Sequence, residues 1–174
     1  TVAVLPSIGG IGPEKRIPIV DMALPALRSM EPSQYDGFRA NVMYLVSADM
    51  EIDLFEYSLM RILVRNLDPV FKGFKPASIK HRSITEVWDQ SATVIATLAR
   101  FGSEDEHEQA NAYAKGTNIL LPGSSGAIPP AEQSSLDALD KALDTLMLAS
   151  PSVKKKVVSA CATCIASDGH TTLE

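Results

Sequence analysis

No stretch of the sequence approaches the roughly 18 consecutive apolar residues that a membrane-spanning helix requires, so a body that does not cross a bilayer is expected. Residues 1–12 also lack the charged segment that opens a secretory signal. Positive charge is scarce, with 16 Lys and Arg against 21 Asp and Glu and a formal net charge of −5. A phosphate backbone is bound through a surplus of Lys and Arg, so this balance argues against a nucleic-acid binder. Aromatic residues make up only 6% of the chain, and no alternating apolar–polar window flanked by hairpin turn pairs is present, which leaves a sheet little to be made from. Cysteine is limited to Cys161 and Cys164. They stand three apart in a helical-looking run where a mutual disulfide would strain the backbone, so reduced thiols and a cytosolic setting are expected.

Helix signals fill the space these absences leave. Ser83 with Glu86, Ser103 with Glu106 and Asp53 with Glu56 each pair a capping side chain with a carboxylate three residues later. Helices are predicted at about 17–29 (disturbed by Pro25), 32–48, 53–66, 84–101, 104–119, 135–149 and 151–167. Gly102 and Gly169 fall where a left-handed C-terminal cap is expected. Two linkers, 68–82 and 121–133, are rich in Pro and Gly. The fold class is therefore all-α.

Sliding the sequence by 119 residues lays Ile17 to Leu54 on Leu136 to Leu173 without a gap, with 8 identities in 38 positions. The apolar row Ile17, Val20, Leu24 and Leu27 falls on Leu136, Leu139, Leu143 and Leu146. Phe38, Val42, Leu45 and Val46 fall on Val157, Cys161, Cys164 and Ile165. The organisation expected is an extension over 1–16 followed by one helical domain over 17–174. Its repeat 1 spans about 17–66, bridging helices about 84–119, and repeat 2 about 136–174. The two repeats are expected to pack about a pseudo-twofold axis. Residues 168–174 read as a loop followed by the first turn of a further helix, as in a piece of a longer protein.

The segments Ala48-Asp49-Met50-Glu51-Ile52-Asp53-Leu54-Phe55-Glu56 and Ser167-Asp168-Gly169-His170-Thr171-Thr172-Leu173-Glu174 resemble the paired A-D-G-x-[IV]-x-x-x-E turns of TerB-like tellurite-resistance domains. More closely, Leu24-Pro25-Ala26-Leu27-Arg28, Pro32-Ser33-Gln34-Tyr35 with Phe38-Arg39, and Ile52-Asp53-Leu54-Phe55-Glu56-Tyr57 resemble the C-terminal region of bacterial HtpX-type membrane zinc metallopeptidases, over most of residues 14 to 174. The resemblance implies a duplicated helical bundle on the cytoplasmic face of the bacterial inner membrane. It implies an accessory role that holds protein partners, the parent's peptidase domain among them, with zinc confined to that peptidase domain. The peptidase motif H-E-x-x-H is missing, and His81, His107 and His170 stand apart, so no proteolysis carries over to this chain. Met50 stands where the family turn has Gly, and the second turn's closing acid would fall after Glu174.

Among candidate sites, the acidic turn ranks first. Asp49, Asp53 and Glu56, joined by the duplicated Asp168, offer the carboxylate oxygens a hard divalent cation takes. Positions 6 and 12 of an EF-hand would be Leu54 and Met60, so that motif is excluded. The structural alternative is that Asp53 caps a helix which Glu56 answers. Cys161 and Cys164 form one pair where a zinc site needs four ligands, and they align with core positions, so they read as buried thiols. Six Lys or Arg between Arg61 and Arg82 face one acid, Asp68, and read as a solvated face and linker, or else as a surface for anionic lipid or an acidic partner. Glu104 to Glu108 suits the dipole of a helix start. Trp88 reads as a core or interface aromatic. No nucleophile elbow, phosphate loop or triad is present, so no catalysis is expected of the chain itself.

Overall fold

The computed structural model describes residues 13–48, 54–73, 78–124 and 126–168. Seven α-helices account for most of them: α1 (Pro13–Leu27), α2 (Pro32–Ala48), α3 (Leu54–Phe71), α4 (Trp88–Gly102), α5 (Glu106–Leu120), α6 (Leu136–Met147) and α7 (Pro151–Ile165). Short 3-10 turns precede α4 and α6 and follow α7. Among the described residues no strand forms, only one parallel bridge between His81 and Ala149. The all-α expectation therefore holds. The described residues form two compact units, 13–73 and 78–168, whose boundary falls in the first Pro/Gly-rich linker.

In the first unit, α1 and α2 both pack on α3. Leu24, Tyr35 and Leu67 are buried, with Leu27, Met30, Phe38, Leu63 and Phe71 packed around them. Ile17, expected in the apolar row of α1, is 44% exposed. Glu31 stands before Pro32, and its backbone N–H donates to Gln34 Oε1 (2.9 Å), which closes the start of α2 from the third helical position. Helix α3 runs five residues beyond its expected end and carries Pro69 inside it. Proline removes one i→i−4 bond. The turn nevertheless persists, because Lys72 N donates to Asp68 O (2.8 Å) and the Phe71 ring stacks on Tyr35 at 4.3 Å between centroids.

The second unit is built around α4. Its residues Ser91, Ala92, Val94, Ile95, Ala96, Thr97 and Ala99 are all buried, a face wide enough to be covered by several neighbours. Helix α4 packs against α5, α6 and α7, and α5 lies along α7. The helices over 84–119, expected as a bridge between repeats, share this unit with the second hairpin. The buried hydroxyls of Ser91, Thr97 and Thr117 donate to the carbonyls four residues earlier, which satisfies them without a partner helix. Arg100 clamps the segment between α5 and α6 by donating to Ser134 Oγ (2.6 Å) and to Pro129 O.

In the two aligned hairpins, α2 and α7 both start at aligned prolines, Pro32 and Pro151, whereas α6 starts at the position aligned with Ile17 and α1 starts four residues earlier, at Pro13. Their buried positions coincide only in part. Phe38 is half-buried and its counterpart Val157 is buried, yet the most buried residue of α2, Tyr35, falls on exposed Lys154.

Two local expectations are corrected. Asp105, not Ser103, caps α5, accepting from His107 N (2.7 Å) and Glu108 N (3.0 Å), so the helix starts at Glu106. Ser103 instead accepts from Asp105 N and donates to Glu108. Gly102 is the last residue of α4 and has no positive φ; among the described residues the left-handed glycines are Gly73 (φ 80°) and Gly123 (φ 81°). Gly169 lies outside the described residues.

Gly37 sits inside α2 with no atom within 4 Å of where a Cβ would stand. Gly37→Ala is thus expected to stabilise the first unit by about 0.5–1 kcal/mol, since glycine loses more backbone entropy in a helix. Native-state hydrogen exchange of the α2 amides should slow accordingly; faster exchange would show that the site is not open.

Candidate functional site

The segment entering α4 borders a shallow, open concavity. Lys80 N and His81 N both donate to Leu148 O (2.8 and 3.3 Å), and Ser150 N donates to His81 O (2.8 Å), so the linker is fastened to the turn between α6 and α7. Ser83 Oγ then donates to Glu86 Oε1 (2.8 Å), and Arg82 N donates to Glu86 Oε2 (3.2 Å); Ser83 and Glu86 meet as expected, but through their side chains and not as an N-cap, and α4 begins only at Trp88, after the 3-10 turn Thr85–Val87, instead of at 84. His81 Nδ1 lies 3.7 Å from the same carboxylate. The Ser83 hydrogen bond first, then the Arg82 N–H, hold the Glu86 carboxyl below its ordinary pKa.

Val87 is fully buried and pins the 3-10 turn, which leaves Trp88 half-exposed at the first position of α4. Thr85, Glu86, Trp88, Asp89, Gln90 and Leu121 line an open groove of about 400 Å³. Leu121, just past the end of α5, is 43% exposed. The groove therefore combines an indole, an aliphatic side chain and two carboxylates.

Two of the four residues expected as a metal site fall within the described residues. Glu56 is exposed in the first turn of α3, and Asp168 ends the 3-10 turn Ala166–Asp168. Asp49 and Asp53 lie outside the described residues. Among the described residues no group of three or more His, Cys, Asp or Glu is gathered as a metal would need.

Cys164 is buried and its thiol lies 3.7 Å from Ile95 O, to which it donates. Cys161 is half-buried; both are free thiols. Burial pushes Cys161 up to about 11 and Cys164 up to about 12, where thiolate chemistry is suppressed at neutral pH.

A second polar cluster, in the first unit, has no counterpart among the sequence expectations. Tyr35 Oη donates to Asp68 Oδ1 (2.5 Å), and the same oxygen lies 3.3 Å from Arg39 Nε and 3.1 Å from Lys72 Nζ. Burial opposes the charge on Asp68, but the hydrogen bonds from Tyr35 and Lys72 and the nearby Arg39 charge outweigh it and hold its pKa below the ordinary value. Burial, reinforced by Asp68, raises the Tyr35 phenol. With its charge matched by two cations and its oxygen filled, Asp68 is a tie between α2 and α3, so the groove is the better candidate for recognition.

Compared with models of known protein families, with curated proteins and with solved structures, the chain gives no match.

Proposed function

We propose that this chain is a protein-interaction module without catalysis of its own, of the accessory kind that its resemblance to the TerB-like region of HtpX-type membrane metallopeptidases implies. The observation that supports this reading is the Trp88 groove, a half-exposed indole beside an exposed leucine. Tryptophan is prominent among the few residues that carry most of the energy of a protein interface, and an open apolar recess is where such residues meet a partner. Among the described residues no helix is long and apolar enough to cross a membrane, so contacts to a membrane-bound parent would be made from outside the bilayer.

A photo-crosslinking amino acid at Gln90, introduced into the natural full-length protein in cells, tests the proposal. A discrete crosslinked protein is expected, lost on Trp88→Ala in a variant whose far-UV circular dichroism is unchanged, and not seen from a probe at Glu132. No crosslink at Gln90, or one indifferent to Trp88, would overturn the reading.

A further inference from the structure

The lining of the groove says what kind of group a partner brings to it. Glu86 and Asp89 both reach it, and both are acids at the surface of a chain of net charge −5. Glu86 already accepts hydrogen bonds from Ser83 Oγ and Arg82 N. Asp89 carries no hydrogen bond or ion pair among the described residues; its charge adds to burial in raising the Tyr113 phenol. The groove thus holds a carboxylate whose acceptor capacity is unused, next to an indole.

A divalent metal ion does not suit this set. Calcium takes six to eight oxygens, and Glu86 has committed both of its oxygens to the capping turn. A guanidinium or ammonium group needs fewer acceptors and gains from an aromatic face as well as from a carboxylate. The helix termini divide: the start of α4 carries partial positive charge, while the end of α5, which borders the groove through Leu121, carries partial negative charge. Glu86 and Asp89, flanking the start of α4, offset the unfavourable end. We infer that the groove receives an arginine or lysine side chain from an extended segment of a partner protein, its cationic head over Trp88 and against Asp89, its stem along Leu121. This deepens the interaction reading above and rests on it.

Trp88 is the only tryptophan in the chain, so its emission reports on the groove without interference. The probes are a nonapeptide of glycine and serine carrying three arginines, and its counterpart with the arginines replaced by neutral, nearly isosteric citrulline. Saturable quenching by the arginine peptide is expected, weakened about threefold to fivefold by Asp89→Asn, the size of one exposed cationic contact. The same charge removed outside the groove, by Asp137→Asn, should leave the affinity unchanged, which separates the site from the general attraction of an acidic protein. Circular dichroism of Asp89→Asn checks its fold, and the citrulline peptide should quench far less. Equal quenching by both peptides would overturn the cationic preference while leaving an interaction groove standing. Absent quenching, or equal weakening by Asp89→Asn and Asp137→Asn, would overturn the site's role in recognising a basic segment.

Discussion

Replacing Gly116 by leucine is expected to prevent the second unit from forming its native core, and Gly116→Ala to lower its stability by up to about 2 kcal/mol. A Cβ at this position would stand 2.8 Å from Ile95 Cγ2, 3.1 Å from Cys164 Cβ and 3.2 Å from Ala160 O. Two of these three neighbours belong to α7 near its own backbone and cannot swing aside, and Ile95 is fully buried. Overpacking of this kind costs about 1–3 kcal/mol, against a gain of about 1 kcal/mol from replacing glycine inside a helix. The steric loss wins because the obstructing carbonyl is main chain. Urea unfolding followed by Trp88 emission measures it, since Trp88 belongs to the same unit. A Gly116→Ala midpoint at or above that of the parent protein would show that α4, α5 and α7 do not approach as closely as described.

The second large effect concerns Asp68. Asp68→Ala leaves the buried Tyr35 hydroxyl without its acceptor and sets Arg39 and Lys72 beside each other uncompensated. A loss of about 1–3 kcal/mol is expected in the first unit, the cost of stranding a buried donor. Tyr35→Phe removes only the hydrogen bond and should cost less. The pH dependence follows from the two shifts. The folded pKa of Asp68 lies below its unfolded value, so its contribution is present above about pH 4 and disappears as pH falls through the lower folded pKa. Tyr35 has a raised folded pKa, so its contribution is complete below about pH 10 and fades as pH climbs toward the folded value. Hydrogen exchange of α2 and α3 across acid pH should show a limb in the parent protein that Asp68→Asn abolishes. An unchanged acid limb in that variant would place the titration elsewhere.

Much of the fold was legible because its determinants are local. Apolar spacing along α4 and α6 and the prolines that open α2 and α7 act within one helical turn, whereas the caps that form, Asp105, Ser135 and Ser150, were not the ones expected. The end of α3 was not legible: Pro69 reads as a helix breaker, and what carries the helix past it, the Tyr35 ring stacked on Phe71, comes from α2. The same distance hid the Tyr35–Asp68 tie, whose partners are 33 residues apart. In the groove, a Ser83–Glu86 contact was foreseeable, but the 3-10 turn Thr85–Val87 that places Trp88 at the start of α4 was not. That Leu121 would close the other side depends on how α5 runs beside α4, which no short window encodes. The acidic turn was read from the sequence as a cation site; its Asp49 and Asp53 lie outside the described residues, and Glu56 stands exposed on α3.

The fastening of residues 80 and 81 to the turn at 148–150 has a mechanical side. Tension arriving along the chain from the N-terminal direction is borne first by main-chain hydrogen bonds to Leu148 and from Ser150, before it reaches the Ser83–Glu86 cap or Trp88. Stretching the polypeptide at that end would load this short parallel clasp before the groove that follows it in the chain.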